Sequence, residues 1–394
     1  MSKLHRLRAL IGLLAGITVF LTGCGGSTGG TGSSSNKAPL VVGVAAGITG
    51  YLASSDGPLA DGAKFAVDRV NKSGGADGHP IELHVLDVAS TASTGVTVVN
   101  QLMNQYRTSV ILTGALSAGT AAYTPIVGPR QVPLVTDTVL PNDPKWVVSV
   151  LPWVDHIVQR EMDFASKQVH AKTVGVMYSQ TPYGQQASKA IADQAGGYGL
   201  TVPVNVGVDT TSTDVSPILA RIRDAKADAI ITVLTGPIEL VVAKNAASLG
   251  LTIPVLQATD DVSIYKSSAA SYPNTYFTGI APQFYPDVSE PKRKAADKAF
   301  MDEWSKSHSD ITGVSGALAG WDEIQVLVAA VKSSHATSGE ALRAALEKTS
   351  VVGTTTDYAY TASDHTGQQK TANPLYIGQF KNGTITIVQP PPTK

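Results

Sequence analysis

Short apolar runs rich in β-branched residues alternate with amphipathic stretches along most of this 394-residue chain. This alternation is typical of βαβ units and predicts a parallel sheet. The first strand is predicted at residues 41–46 and the first helix at 59–72, where apolar residues recur at helical spacing. Further strands are predicted at 81–89, 109–113 and 132–136, with helices near 95–106 and 119–128.

The same alternation of strand and helix patterns begins again near residue 173 and predicts a second sheet. Its strands are predicted at 173–178, 202–208, 229–234, 255–259 and 276–280. Helices are predicted at 183–197, 214–226, 237–249, 291–307, 316–333 and 339–348. In the tail, Asn382-Gly383 separates two short alternating strands within 375–388, which is a strong hairpin signal. The pattern therefore predicts an α/β fold with two doubly wound parallel-sheet lobes.

The N-terminus has the pattern of a secretion signal. Three basic residues precede a largely apolar run at 9–21, and small residues then lead to Cys24, the only cysteine in the chain. Leu21-Thr22-Gly23-Cys24 resembles the bacterial lipobox, in which the cysteine becomes the new N-terminus and carries lipid such as palmitate. The run falls short of the roughly 20 residues that span a bilayer. We therefore expect a lipoprotein signal peptide at 1–23, with a plain signal or a short membrane anchor as alternatives.

Residues 24–37 contain almost only Gly, Ser and Thr up to Asn36, a composition that behaves as a flexible coil. We expect this segment to tether a folded body to the extracytoplasmic face of the cell membrane. Because Cys24 has no second cysteine to pair with, an internal disulfide is excluded. The body must then be stabilised by hydrophobic burial.

The charge balance argues against a nucleic-acid partner. The chain has 30 basic and 31 acidic residues and a formal net charge of −1, whereas nucleic-acid binding needs a clustered basic face. The eight histidines show no metal-ligand spacing. Gly43, Gly47 and Gly50 do not have the Gly-x-Gly-x-x-Gly spacing of a dinucleotide site. We expect no metal and no cofactor.

Several local strings occur in a recognisable order. Residues 62–71 read Gly-Ala-Lys-Phe-Ala-Val-Asp-Arg-Val-Asn, followed by two glycines at 74–75 and Gly-His-Pro-Ile-Glu-Leu at 78–83. Tyr183-Gly184 follows a predicted strand, 213–216 open a helix, and Leu249-Gly250-Leu251 precede a strand. Over residues 40–388 the chain thereby resembles the periplasmic type I solute-binding proteins, specifically the branched-chain amino-acid (Leu/Ile/Val) receptor family of ABC importers.

The resemblance implies two lobes joined by a three-crossing hinge, with a small organic ligand held in the cleft between them. It places the first lobe at 38–155 plus about 284–372 and the second at 156–283 plus about 373–394. The implied ligand is an amino acid or a related carboxylate, and the implied protein partners are ABC permease subunits. No enzymatic activity is implied.

In the first lobe, the resemblance assigns ligand contacts to loops that follow strands. Ser117 and Ala118 lie in a loop that matches the family's carboxylate-gripping loop, although a serine there is also explained as a helix cap. In the first loop, Ser55 is the equivalent of a ligand-facing aromatic residue of the family, and Tyr51 and Asp56 are its neighbours. Thr138 follows the fourth strand.

In the second lobe, Tyr183 lies where the family places an aromatic residue over the ligand. Thr235, Thr259 and Asp260 follow strands at positions where the family binds an amino group. An acid such as Asp260 suits an ammonium, although an aspartate in such a loop also serves as a turn or cap residue.

One stretch departs from the family pattern. After the fourth strand the family has small and hydroxyl residues, whereas this chain has Val139 and Leu140, and Trp153 lies near the predicted hinge. These bulkier residues predict a pocket for a larger or more apolar acid than an ordinary branched-chain amino acid.

Two alternatives remain. The same fold can serve as a receptor module that reports its ligand to a sensor partner. Residues 115–119 also form a strand-to-helix serine turn close to the Gly-x-Ser-x-Gly elbow of α/β-hydrolases. A serine hydrolase built on Ser117 would need His335 or His365 as its base.

Overall fold

A computed structural model describes residues 37–258, 262–285, 287–288, 290–307, 313–368 and 373–392. In chain order the strands are β1 (Leu40–Ala46), β2 (Ile81–Asp87), β3 (Val110–Thr113), β4 (Leu134–Thr136), β5 (Val147–Ser149), β6 (Thr173–Ser179), β7 (Thr201–Val208), β8 (Ala229–Val233), β9 (Val255–Gln257), β10 (Thr275–Gly279), β11 (Ser350–Val352), β12 (Asp357–Ala359), β13 (Tyr376–Lys381) and β14 (Thr384–Gln389). The α-helices are α1 (Ala53–Lys72), α2 (Ala92–Asn104), α3 (Ser117–Arg130), α4 (Val154–Lys167), α5 (Pro182–Gln194), α6 (Ser216–Asp224), α7 (Ile238–Ser248), α8 (Val262–Ser271), α9 (Pro291–Trp304), α10 (Val314–Ser334) and α11 (Gly339–Leu346).

Two sheets organise these elements. The first has five strands in the order β2-β1-β3-β4-β5, all parallel. The second has seven strands in the order β14-β13-β10-β9-β8-β6-β7, in which the hairpin of β13 and β14 is antiparallel. We call the parts built on them the first lobe and the second lobe. The predicted α/β class with two parallel-sheet lobes is confirmed, whereas the predicted lobe bounds stay a prediction.

The chain passes between the sheets three times. It leaves the first sheet after β5 to form α4, returns after β10 to form α9, and leaves again after β12 to form β13. The first and third passages are tied together, because the Trp153 amide donates to Gln368 Oε1 (2.7 Å) and Asn373 Nδ2 donates to the carbonyl of His156 (2.7 Å). A three-crossing hinge was expected from the family resemblance.

Helix α1 begins six residues earlier than predicted, at Ala53 instead of Leu59. Gly57 and Pro58 favour a later start, but tertiary hydrogen bonds hold the early turns. The buried Asp56 carboxylate accepts from the Gly47 amide (2.7 Å) and from the Ala115 amide (3.0 Å). The first turns of α1 are thereby fixed to the loops after β1 and β3.

Helices α1 and α10 pack backbone against backbone. A Cβ atom added at Gly316 would overlap the Ser55 carbonyl oxygen, and one at Gly320 would overlap the Leu59 carbonyl oxygen. By length and apolar composition α10 resembles a membrane-crossing helix, yet 78% of its most apolar window is buried inside the protein. It is therefore placed as a core helix of the first lobe.

The tail hairpin forms as predicted. Asn382 and Gly383 both have positive φ, at 52° and 82°, and they connect β13 to β14. Such a pair of left-handed residues matches the twist of the flanking strands, which is why Asn-Gly is a strong hairpin signal. The structure adds elements that the pattern did not predict, namely β5, α4, α8 and the β11–β12 pair.

Candidate ligand-binding site

A cavity lies where the carboxyl ends of strands from both sheets meet. Parallel strands collect loops and helix N-termini at these ends, which is where open α/β sheets bind ligands. Ala115, Asp137 and Val150 follow β3, β4 and β5, while Tyr183, Thr235 and Ile280 follow β6, β8 and β10. The lining residues are Ser55, Ala115, Asp137, Thr138, Val150, Leu151, Pro152, Tyr183, Thr235, Ile280, Gln283, Ser315, Gly316, Ala319 and Thr355.

The cavity is large enough for a small organic molecule. The cavity volume is about 90 Å³. A cavity needs roughly 10–15 Å³ to hold one water molecule. The lining combines apolar side chains with hydroxyl groups, which is typical of sites that bind and orient small ligands.

Several helices begin at the cavity. Ser55 lies in the first turn of α1, Tyr183 in that of α5 and Ser315 in that of α10. The first turn of a helix carries a partial positive charge from the aligned peptide dipoles, even where its amides already have partners, as the Tyr183 amide does in Ser117 Oγ. Their convergence at one cavity favours an anionic group such as a carboxylate.

Asp137 brings an acid to the same cavity. Its amide donates to the Thr113 carbonyl (2.9 Å), which fixes the backbone directly after β4. The side chain is deep in the protein but part of its surface faces the cavity. Burial and the neighbouring carboxyl groups of Asp56 and Asp322 raise the pKa of Asp137 well above its usual range.

Further buried acids lie behind this side of the cavity. The Asp322 carboxylate accepts from the Thr354 amide (3.0 Å) and from the Tyr358 hydroxyl (3.1 Å), while burial raises its pKa to about 6. Glu323 is fully buried, and burial together with Asp137 and Asp56 raises its pKa well above the usual range. The first-lobe side of the cavity is therefore strongly acidic in composition.

Neutral groups line the rest of the cavity. Tyr183 and Thr235 come from the second lobe. Gln283 joins the second chain passage to α10, because its Oε1 accepts from the Ile280 amide (2.9 Å) and its Nε2 donates to Ser315 Oγ (2.6 Å). These groups can form hydrogen bonds with a ligand but cannot neutralise a charge.

The two lobes touch beside the cavity. The Tyr183 amide donates to Ser117 Oγ across the cleft, at 3.4 Å. Gly236 packs closely on Tyr51, since a Cβ atom at Gly236 would lie 2.6 Å from the Tyr51 carbonyl oxygen. Ser117 and Tyr51 therefore lie at the contact between the lobes.

The structure brings four of the predicted ligand contacts to the cavity, namely Ser55, Thr138, Tyr183 and Thr235. Tyr51 and Ser117 lie at the lobe contact outside the lining, and Ala118 is exposed to solvent. Three further predicted residues lie outside the described residues: Cys24, Thr259 and Asp260.

After the fourth strand the sequence departs from the family pattern, and the residues of this stretch that line the cavity are not the bulky ones that were expected to do so. Val139 is buried in a hydrophobic cluster, and Leu140 and Trp153 are also absent from the lining that the structure describes. The lining residues of this stretch are Asp137 and Thr138. The bulky residues therefore do not set the size of the cavity, and the signal that could have been used was the aspartate directly after a buried strand.

The serine hydrolase arrangement is not formed. Both histidines have other partners: His335 Nδ1 contacts Asp77 Oδ2 (2.9 Å), and His365 Nε2 contacts Glu347 Oε1 (3.1 Å). Ser117 Oγ accepts from the Tyr183 amide instead. Among the described residues, no group of three or more His, Cys, Asp or Glu side chains is arranged to hold a metal ion.

Comparisons with known proteins agree with this architecture. A family model described as periplasmic binding protein matches residues 39–384. A curated relative, the Leu/Ile/Val-binding protein BraC3 of Rhizobium johnstonii, is 25% identical over 199 residues, covering 49% of this chain and 54% of the relative. The chain thus spans about half the length of the curated relatives it matches.

Solved structures show the same fold at low identity. The branched-chain amino acid transporter substrate-binding protein LivJ of Streptococcus pneumoniae, in complex with isoleucine, has a TM-score of 0.73 and 18% identity, covering 89% of this chain and 100% of that chain. An ABC transporter solute-binding protein of R. palustris, in complex with 4-hydroxybenzoate, has a TM-score of 0.75 and 18% identity, covering 90% and 96%. BraC3, LivJ and the R. palustris protein are all binding proteins, in agreement with the expectation that the chain is not an enzyme.

Proposed function

The chain belongs to the periplasmic binding protein family, and from that premise we propose that it is the lipid-anchored solute-binding component of an ABC importer. Its ligand is an amino acid or a related small carboxylate, which it captures in the cavity between its lobes. It then delivers the ligand to ABC permease subunits. The family supports an extracytoplasmic location.

The observation that carries this proposal is the position of the cavity. Its lining comes from strand ends of both sheets and from the first and second chain passages. A ligand that contacts both lobes binds the closed arrangement more tightly than the open one and shifts the population towards it. No covalent step is needed.

The chemistry of the cavity supports the ligand class. The helix N-termini at Ser55, Tyr183 and Ser315 favour a carboxylate. The curated relative is named for leucine, isoleucine and valine, and the two similar structures hold isoleucine and 4-hydroxybenzoate. All of these compounds have a carboxylate, which is the feature that we carry over to this chain.

A thermal-shift screen of amino acids, aromatic acids and short-chain acids tests the proposal. A ligand present at about 100 times its Kd stabilises the folded state by about 2.7 kcal/mol, which gives a clear rise in melting temperature. The hit should be recovered chemically unchanged after incubation. A screen in which no carboxylate raises the melting temperature would contradict the proposal.

The lipid anchor requires its own test, because Cys24 lies outside the described residues. We expect Cys24→Ala to release a soluble protein that binds the same ligand with the same affinity, since the cysteine is the only residue that the lipobox pattern can modify. Fractionation of cells and calorimetry measure the two properties. Recovery of the variant in the membrane fraction would refute the anchor and leave ligand binding unaffected.

A further inference from the structure

We propose that Asp137 binds a cationic group of the ligand, such as an ammonium, and thereby selects for ligands that carry one. The inference rests on the proposed function, because it requires that the cavity holds a ligand. It identifies a specificity-determining residue that differs from Asp260, the acid expected from the family resemblance.

Asp137 is placed to meet a ligand. It follows β4 directly, and its side chain faces the cavity. Among the described residues that line the cavity, it has the only Asp, Glu, Lys, Arg or His side chain. Among the described lining groups, a charged ligand therefore interacts electrostatically mainly with Asp137 and with the helix N-termini.

The Asp137 side chain, unlike its amide, has no hydrogen-bond partner among the described residues. The neighbouring acids Asp56 and Asp322 both accept backbone amides, at 2.7–3.0 Å, and so hold loops in place. In the part of the chain that the structure describes, the Asp137 carboxyl group has no hydrogen bond or ion pair. A carboxyl group that contributes no such bond to the fold is free to bind a ligand.

No positively charged side chain among the described residues perturbs the Asp137 carboxyl group. Asp56 and Asp322 are the charged groups that perturb it, and both are acids. A buried carboxylate is costly unless it is paired, so it must hold a proton or meet a cation. A ligand ammonium supplies that cation, while the partial positive charge of the helix N-termini attracts the ligand carboxylate. The two poles together fit a compound with both charges.

This arrangement couples binding to a proton. In the described part of the chain, the titratable groups that face Asp137 are Asp56 on α1, Asp322 and Glu323 on α10, and Tyr358 on β12. Burial and the acids raise the pKa of Asp137, whereas a nearby ammonium lowers it. The carboxyl proton therefore passes to solvent as the ligand ammonium forms the ion pair, and affinity for a cationic ligand falls as the pH is lowered.

The test uses matched compounds and the full chain purified in detergent. Each of the twenty standard L-amino acids is compared with the acid that has hydrogen in place of the ammonium, and dissociation constants are measured by calorimetry in two buffers of different ionisation heat. We expect at least one amino acid to bind the wild type about tenfold or more tightly than its deaminated partner, with proton release. Asp137→Asn should abolish both the preference and the proton release.

Asp143→Asn is the matched control, because Asp143 is an exposed aspartate just downstream and does not line the cavity. It should keep the wild-type preference. If deaminated acids bind the wild type as tightly as their amino acids, or if Asp137→Asn keeps the preference, the assignment of Asp137 is wrong. In either case binding of carboxylates would leave the proposed function standing. If neither amino acids nor carboxylates bind, both proposals fail. The comparison of amino acids with their deaminated partners on the wild type remains informative even if Asp137→Asn does not fold.

Discussion

The two sides of the cavity differ in how they use acids. The first lobe brings Asp137 to the cavity surface and places Asp56, Asp322 and Glu323 behind it. The second lobe contributes the neutral Tyr183 and Thr235. Among the described residues, the acid that faces the cavity therefore comes from the first lobe, and under the Asp137 proposal this lobe recognises the charge of a ligand.

The second lobe also buries acids, and those among its described residues do not line the cavity. Glu239 accepts from the Thr232 hydroxyl (2.7 Å) and from the Leu234 amide (3.3 Å). Glu161 accepts from the Thr278 hydroxyl (3.4 Å), and burial raises its pKa well above the usual range. Burial of acids is therefore common to both lobes, and among the described residues an acid that lines the cavity is found in the first lobe.

The largest effect is expected from the pH dependence of the first lobe. Asp297 on α9 is fully buried, and burial raises its pKa to about 8, above an unfolded value of about 3.9. The folded state therefore holds one more proton between these values, and the free energy of unfolding falls by about 1.4 kcal/mol per pH unit as the pH rises through this window.

Asp297→Asn should remove the contribution of Asp297 to this pH dependence. In urea titrations between pH 4 and 8, the free energy of unfolding of the variant should therefore rise relative to that of the wild type as the pH rises. The exposed Asp143→Asn should leave the slope unchanged. Equal pH profiles for wild type and Asp297→Asn would show that Asp297 is ionised in the fold, contrary to this account.

The next effect concerns the backbone contact that supports the first-lobe side. Gly320→Ala should lower the free energy of unfolding by about 3 kcal/mol, because the new methyl group would overlap the Leu59 carbonyl oxygen and force α1 and α10 apart. Gly196→Ala in the second lobe is the control, since a Cβ atom there meets no neighbour. Urea unfolding should separate the two variants. Equal stabilities would indicate that the helices can separate at little cost.

A smaller effect distinguishes the two acids of the first-lobe side. Asp56→Asn should cost about 2 kcal/mol of stability, because both carboxylate oxygens accept backbone amides and an amide side chain can satisfy only one of them. Asp137→Asn should leave stability unchanged or raise it. Thermal unfolding without ligand measures both. A loss at Asp137 as large as that at Asp56 would mean that Asp137 serves the fold.

The smallest effect is expected on the second-lobe side. Thr235→Ala should weaken ligand binding by a few-fold, about 1 kcal/mol, because one neutral hydrogen bond is lost. The preference between an amino acid and its deaminated partner should not change, since no charge is removed. Thr97→Ala on the exposed face of α2 is the matched control. If Thr235→Ala lost the preference, the second lobe would take part in recognising the ligand charge, contrary to the assignment of that role to Asp137.

Much of the fold follows from local patterns. The alternation of apolar strands with amphipathic helices predicted both sheets, and Asn382-Gly383 predicted the tail hairpin, because these signals depend on neighbouring residues. The family resemblance is confirmed over residues 39–384. The short strand β5 was missed since three residues carry too little periodicity. The early start of α1 was missed because it depends on hydrogen bonds from Asp56 to distant loops.

The site was predicted less completely. Ser55, Thr138, Tyr183 and Thr235 line the cavity, in regions to which the family resemblance pointed, and their contact with a ligand stays a prediction. Gln283 and Ser315 lie on a chain passage and a helix far apart in sequence, so only the folded chain brings them together. Asp137 was not predicted, and its bulky neighbours Val139 and Leu140 were considered instead. Only the folded protein shows that the Asp137 carboxyl group has no hydrogen-bond or ion-pair partner among the described residues.

Small-angle scattering tests the central claim, that a ligand held between the lobes favours their closed arrangement. The protein is measured alone and with a saturating amount of the compound that raises its melting temperature most. A ligand that contacts both lobes should reduce the radius of gyration. If the ligand is an amino acid, Asp137→Asn should require a higher concentration of it for the same reduction. Identical scattering curves for the wild type with and without the bound compound would contradict closure by the ligand.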